Sequence, residues 1–135
     1  MNPMSRMIST NTKEFLIRAR NLIAKPESWT KGYLSRDAQG LVPFTENDAV
    51  CWCAVGALQH TYIRHNDLGD SISEALDALD HQIRVQIRVR GGSDAGDLIS
   101  TSISIFNDLA TTTHQDVLDL FDGAISRMSS MSDVT

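Results

Sequence analysis

The sequence predicts a mainly helical α+β domain of about five helices, and three patterns lead to this prediction. Apolar residues recur at helical spacing over 15–23 and again over 117–128, as they do in amphipathic helices that bury one face. The stretch 49–65 is apolar around most of its circumference, which is typical of a buried central helix. Short runs bracketed by glycines between 29 and 44 indicate a small β element. We expect the helices to surround 49–65, with a β-hairpin or a three-stranded element beside them.

Length and composition indicate one domain. The chain has 135 residues, enough to bury a single core, and its 41% hydrophobic and 21% charged residues are globular values. The net charge of -5 disfavours a protein that binds along duplex nucleic acid. No apolar run approaches the roughly 20 residues that span a bilayer, and the first ten residues lack a signal-peptide core. We expect a cytoplasmic domain over 1–135, with flexible ends at 1–9 and 129–135 and no membrane contact.

The predicted central helix carries both cysteines. Cys51 and Cys53 would diverge by about 200° around its axis, so we expect reduced thiols, as is usual in the cytoplasm. Thr45 or Asn47 is the expected amino-terminal cap. Gly56, which costs roughly 1 kcal/mol in a helix relative to alanine, predicts close packing against a neighbouring backbone.

The elements before this helix are predicted from capping and turn residues. Asn11 and Glu14 form a capping-box pattern that opens the first helix, which should stop at Lys25-Pro26. The run 37–40 has the composition of a type I turn closed by a left-handed glycine. It predicts a hairpin of 33–36 with 41–42. Because an isolated two-stranded hairpin is only marginally stable in water, the hairpin should pack against the helices. The side chains expected to do so are Trp29, Leu34, Val42 or Phe44.

The region after the central helix has two interpretations. Ser71 and Glu74 predict a third helix that runs to about His81. Apolar β-branched residues then alternate with polar ones over 83–89, which is a strand pattern. A helix continued from Ser71 would also keep its apolar residues on one face. We favour a strand that joins the hairpin.

Two further helices follow. Asp97 is predicted to cap a fourth helix that ends at Asn107-Asp108, and Thr113 with Asp116 to open a fifth. The inner face of the fifth helix should comprise Val117, Leu118, Phe121, Ala124, Ile125 and Met128.

Three phrases carry a family resemblance: RARNLIAKPESWTKGYLSRDAQG, AVCWCAVGAL and FNDLATTTHQDVLDLFDGAIS. They resemble a family of small, uncharacterised bacterial and phage proteins catalogued as a domain of unknown function. The family's Trp-Cys pair and Gly-Ala-Leu run correspond to 52–53 and 56–58, and its Asn-Asp pair to 107–108. The family usually has tryptophan where this chain has Phe106. The resemblance implies a compact, mainly helical domain and supplies no activity.

A thiol nucleophile is the sharpest enzymatic hypothesis. Cys53 or Cys51 could act with a histidine and with Asn107 or Asp108, and a cysteine near a helix amino terminus has a lowered pKa. The candidate histidines are His60, His65, His81 and His114. His60 lies about 10 Å along the helix axis from Cys53, so a base would have to come from another segment. A cysteine-dependent hydrolase or transferase is therefore the alternative function.

Segregated charge supports the leading hypothesis. Arg84, Arg88 and Arg90 would share one strand face and could hold a phosphate-bearing ligand or an acidic partner, although a solvated strand face is the more ordinary interpretation. Asn107-Asp108 either ends a helix or presents a polar pair at a pocket. We expect a non-enzymatic, phage- or mobile-element-related binding module that contacts a host protein or a phosphate-bearing ligand through these five residues. The stretch 94–122 contains six aspartates and no Lys or Arg, and this acidic patch opposite the arginines would also permit a homo-oligomer.

Motifs for cofactors and metals are missing from the sequence. It has no glycine-rich phosphate loop and no helix with two metal-binding histidines, and the spacing of its cysteines and histidines does not fit zinc. We expect neither a cofactor nor a metal.

Overall fold

The computed structural model describes residues 3–65, 71–89 and 102–133, and it confirms the mainly helical α+β class. The helices are α1 (Pro3–Leu22), α2 (Ala54–Arg64), α3 (Ser71–Val89), α4 (Ile103–Asp108) and α5 (His114–Asp133), with 3₁₀ turns at Pro26–Ser28 and Glu46–Asp48. Two short strands, β1 (Ser35–Arg36) and β2 (Cys51–Trp52), form an antiparallel sheet.

One hydrophobic core lies between the long helices. α1 packs against α5, α2 and α3, and α3 also packs against α5. Large apolar side chains from all five helices and the chain after α1 are fully buried in this core, and their burial is the main source of stability. They are Phe15, Leu16, Ile23, Leu58, Leu79, Ile83, Ile103, Leu120 and Phe121. Within the described residues, no helix combines the length and the apolar character needed to cross a membrane.

The central helix starts later than predicted. It begins at Ala54, and Cys53 is its N-cap, with φ -78 and ψ 176 and with Sγ accepting a hydrogen bond from Gly56 N at 3.3 Å. The placement of Cys51 in this helix was wrong, because Cys51 and Trp52 are extended and pair with β1. Thr45, one of the two residues predicted to cap this helix, donates from its N and Oγ1 to Asp48 Oδ2 at the 3₁₀ turn.

The predicted turn is confirmed, but the predicted strand partner was wrong. Gly40 has φ +81, its N–H donates to Asp37 O at 3.0 Å, and Asp37 N donates to Leu41 O at 2.8 Å. β1 then pairs with β2 rather than with 41–42. Pro43 has no N–H to extend a ladder beyond Val42, and the chain leaves the hairpin there.

The strand predicted over 83–89 was also wrong, because α3 continues to Val89. Ala75, Leu79 and Ile83 are fully buried at four-residue spacing, so tertiary packing selects the helical face over the local preference of β-branched residues. On this helix Arg84 and Arg88 lie one turn apart. Arg90 lies outside the described residues, as does Asp97.

The remaining helix ends divide between confirmed and wrong predictions. α1 begins at Pro3, so the capping box at Asn11 was wrong, and part of the arm predicted at 1–9 is helical. The box at the start of α5 is confirmed: Asp116 N donates to Thr113 Oγ1 at 3.1 Å, and Thr113 N donates to Asp116 Oδ2 at 2.9 Å. α4 ends at Asp108, as predicted.

Candidate partner-binding surface

Asn107 connects three parts of the chain from a fully buried position at the end of α4. Its Oδ1 accepts hydrogen bonds from Trp29 Nε1 at 2.8 Å and from Ala54 N at 3.0 Å. Its Nδ2 donates to Thr30 O at 3.1 Å and to Asp108 Oδ1 at 3.0 Å. The amide therefore joins the 29–30 segment to the first residue of α2, and all four contacts lie within the chain.

Asp108 and Lys31 extend this connection. Asp108 Oδ1 also accepts from Gly32 N at 3.0 Å, and Lys31 Nζ donates to Leu109 O. Lys31 Nζ lies 5.6 Å from the centroid of the Trp29 ring. We call Asn107 and Asp108, with these bonds to 29–32, the polar clasp. The clasp fixes the chain where it enters β1.

Arg36 holds the next part of the segment. Its guanidinium donates to Thr30 Oγ1 at 2.9 Å, to Gly40 O at 2.9 Å and to Lys31 O at 3.1 Å. It also lies 4.0 Å from the centroid of the Tyr33 ring. These bonds cross the turn and fix the loop that follows β1.

Four apolar side chains of this fixed segment face solvent. Phe44 is 96% exposed, Val42 66%, Leu34 50% and Tyr33 47%. They line a groove of about 500 Å³, which we call the apolar groove. Leu41 and Val50 nearby in sequence are also exposed. Of the four side chains named as alternatives for anchoring the hairpin, Trp29 packs against the core, whereas Leu34, Val42 and Phe44 are exposed.

Ser35, a residue of β1, lines the same groove. The carbonyls on either side of it face β2, since Leu34 O accepts from Cys53 N at 3.1 Å and Arg36 O accepts from Val50 N at 2.9 Å. Backbone groups of successive strand residues point to opposite edges, so the N–H and C=O of Ser35 point away from β2. The groove thus combines apolar side chains with an outward-facing strand edge.

Cys53 sits where the clasp meets α2. Its thiol is buried, and burial raises its pKa above the ordinary value of 9.0, against the lowering effect of the Gly56 and Val55 N–H groups. The negative charge of Asp108 raises this pKa further. A small pocket of about 200 Å³ is lined by Cys53, Ser104 and Asp108 among others. The predicted lowering of the thiol pKa by the helix terminus was wrong, because desolvation outweighs it. Cys51 is half-buried, and both cysteines are free.

The histidines named with the thiol hypothesis occupy separate places. His60 packs on the Trp52 ring with 5.0 Å between centroids, and His114 Nε2 lies 2.6 Å from Ile23 O. His65 is the C-cap of α2, and His81 lines a groove between α3 and α5. No group of three or more His, Cys, Asp or Glu side chains among the described residues could hold a metal ion.

The predicted site residues thus fall in two places. Asn107 and Asp108 form the clasp behind the apolar groove, and Arg84 lies exposed on α3. Sequence reasoning missed the groove itself. The detectable signal was the run of apolar residues between Tyr33 and Phe44 around a turn and a proline, where neither helical nor strand periodicity assigns them to a core.

Comparison with known proteins identifies a family. A family model described as Family of unknown function (DUF6197) matches residues 7–127. No curated protein and no solved structure gives a significant match.

Proposed function

The chain belongs to DUF6197, a family of unknown function, and we propose that it is a non-enzymatic protein-binding module. An extended apolar segment of a partner protein enters the apolar groove and adds a strand to the outer edge of β1. The resemblance to bacterial and phage proteins makes a bacterial host protein the expected partner.

The observation that carries the proposal is the apolar groove on a segment that is fixed from behind. Exposed apolar side chains normally gain free energy by collapsing onto a core, by about 25 cal/mol for each Å² removed from water. Here Phe44 remains 96% exposed although the clasp and Arg36 fix the backbone of the preceding segment. Contiguous exposed apolar residues mark interaction sites, and a fixed segment loses little conformational entropy on binding.

The strand edge indicates what kind of partner fits. Strand addition supplies main-chain hydrogen bonds, and pockets for alternate side chains supply specificity. Ser35 offers one outward N–H and one outward C=O beside Val42 and Phe44. An extended apolar segment satisfies both kinds of contact, whereas a helix would leave the Ser35 groups unpaired.

The thiol-dependent alternative receives less support from the same region. Thiolates, not thiols, act as nucleophiles, and burial keeps Cys53 protonated at neutral pH. The Asn107 amide, which would orient a catalytic histidine, makes its four bonds to Trp29, Thr30, Ala54 and Asp108.

The experiment begins with a photo-crosslinking residue at position 44 in a bacterial host, with the same residue at position 63 as the control. Ile63 is also apolar and 56% exposed, but it lies on α2 outside the groove. The protein captured from position 44 alone is identified and purified, and its affinity is measured by calorimetry. We expect Phe44→Ser to weaken binding at least tenfold and Ile63→Ser to leave it unchanged.

Ser35→Pro tests the strand edge. The substitution removes an N–H that points away from β2, and edge strands tolerate proline, so the fold should persist. We expect binding to fall at least tenfold while the circular dichroism spectrum stays the same. Unchanged affinity of both Phe44→Ser and Ser35→Pro would refute the proposal.

A further inference from the structure

A second groove lies between α3 and α5 and is lined by charged side chains. Its volume is about 380 Å³. Arg84 reaches it from α3 and Arg127 from α5, and Glu74, Asp77 and His81 lie along it. It shares no lining residue with the apolar groove.

The two guanidiniums in this groove lack acceptors in the described part of the chain. Arg127 Nη1 is buried and makes no hydrogen bond there. The salt bridges among the described residues join Arg18 to Glu14 and Arg20 to Asp122, and neither involves Arg84 or Arg127. A buried donor without an acceptor is destabilising, and two like charges in one groove repel each other. An anion between the two guanidiniums would offset their mutual repulsion.

Two acidic residues also line the groove. Glu74 and Asp77 each carry a negative charge that opposes any anion there, and Glu74 Oε2 also accepts a hydrogen bond from Thr12 Oγ1 at 2.8 Å. Attraction to the arginines and repulsion by these carboxylates both grow with the charge of the anion, so the number of acceptor oxygens decides which anion fits. A carboxylate has two oxygens, enough for the fork of one guanidinium, whereas a phosphate group has three that can accept from two guanidiniums at once.

We propose that Arg84 and Arg127 bind the phosphate group of a small phosphate-bearing ligand in the groove between α3 and α5. The two arginines come from helices that pack against each other in the core, so the site is formed by the fold itself and not by a mobile loop. This proposal is independent of partner binding at the apolar groove.

Titration with inorganic phosphate tests the site, with sodium chloride adjusted to hold ionic strength constant. The Nε–H signals of the arginines are followed by NMR at pH 7.5. We expect saturable shifts of Arg84 and Arg127 at millimolar phosphate. Arg84→Gln, an exposed position, should weaken binding at least tenfold without affecting folding. Arg18→Gln on α1, where Arg18 pairs with Glu14, is the matched control and should leave binding unchanged.

Asp77→Asn gives a test of opposite sign. Removing this charge should tighten phosphate binding about threefold, which a structural role of the two arginines would not produce. Shifts that grow linearly without saturation, or unchanged affinity in Arg84→Gln, would overturn the proposal. Equal affinity for acetate would overturn the assignment to phosphate.

Discussion

Asn107 is fully buried and satisfies both backbone and side-chain groups. It accepts from Ala54 N in a buried bond, and it accepts from Trp29 Nε1 and donates to Thr30 O in partly buried ones. A buried group left without its partner costs about 1–3 kcal/mol, because water cannot replace the lost bond. The side chain therefore has a structural role that its polarity alone does not indicate.

Replacing this residue should be costly. We expect Asn107→Ala to lower the free energy of unfolding by about 3 kcal/mol, measured by urea denaturation with tryptophan fluorescence. Asn21→Ala removes the same side chain from an exposed position on α1 and should change stability by less than about 0.5 kcal/mol. Equal effects of the two substitutions would contradict the assignment of Asn107 to the clasp.

The raised pKa of Cys53 predicts how stability depends on pH. Both the folded and the unfolded chain carry a protonated thiol below the ordinary pKa of 9.0. Above it, the unfolded chain releases a proton that burial makes the folded chain retain, so stability falls as pH rises. We expect a loss approaching 1.4 kcal/mol per pH unit between the unfolded and folded pKa values, measured as the difference between wild type and Cys53→Ser.

The rate at which a thiol reagent modifies each cysteine also tests whether Cys53 is buried. In the native protein, half-buried Cys51 should react with a thiol reagent before Cys53, and Cys53 should react only on unfolding. Fast native modification of Cys53 near neutral pH, measured in the Cys51→Ser variant, would instead indicate an exposed thiolate and support the enzymatic hypothesis.

Gly56 determines how closely α2 approaches the strand segment. A Cβ built on it would lie 1.8 Å from Leu34 O and 2.7 Å from Leu34 C. Alanine normally stabilises a helix relative to glycine by about 1 kcal/mol, but here the clash with backbone atoms reverses the sign. We expect Gly56→Ala to destabilise the protein by more than about 3 kcal/mol in urea denaturation.

Gly40 provides the comparison for this substitution. It has φ +81, and no atom lies within 4 Å of the position that an alanine Cβ would take, so Gly40→Ala should cost only the backbone strain of about 1–2 kcal/mol. A smaller loss for Gly56→Ala than for Gly40→Ala would contradict the close approach of α2 and the Leu34 backbone.

At the scale of helices and strands, the sequence predicted elements well where local and tertiary preferences agree. The capping box at Thr113 and the apolar stripe that follows it predicted α5, and both are present. Over 83–89 the local preference for a strand conflicts with burial at four-residue spacing, and packing decides. At Cys51–Trp52 the apolar pattern fits a helix or a strand equally, and pairing with the distant strand β1 decides. The local sequence therefore does not determine whether these two residues are helical or extended.

For the whole molecule, the sequence identified single residues of the candidate site but not their arrangement. The Asn-Asp pair was predicted either to end a helix or to present polar groups at a pocket, but its partners lie 53–78 positions away along the chain and were not predicted. Such contacts depend on how α4 packs against α2, which no local spacing encodes. The apolar groove was missed for a related reason, since exposure is decided by what the fold leaves uncovered.

The clasp connects the core to the groove, so it should determine whether the groove is ordered before a partner arrives. We expect ¹⁵N relaxation of the free protein to give order parameters of about 0.85 for 33–45, as in the helices, because 29–32 and Arg36 fix both ends of β1. In Asn107→Ala the same residues should fall below about 0.6 while α1 and α5 stay rigid. Asn21→Ala should match wild type. Values below about 0.6 in the wild-type protein would mean that partner binding must itself order the segment, and the preorganised groove would have to be abandoned.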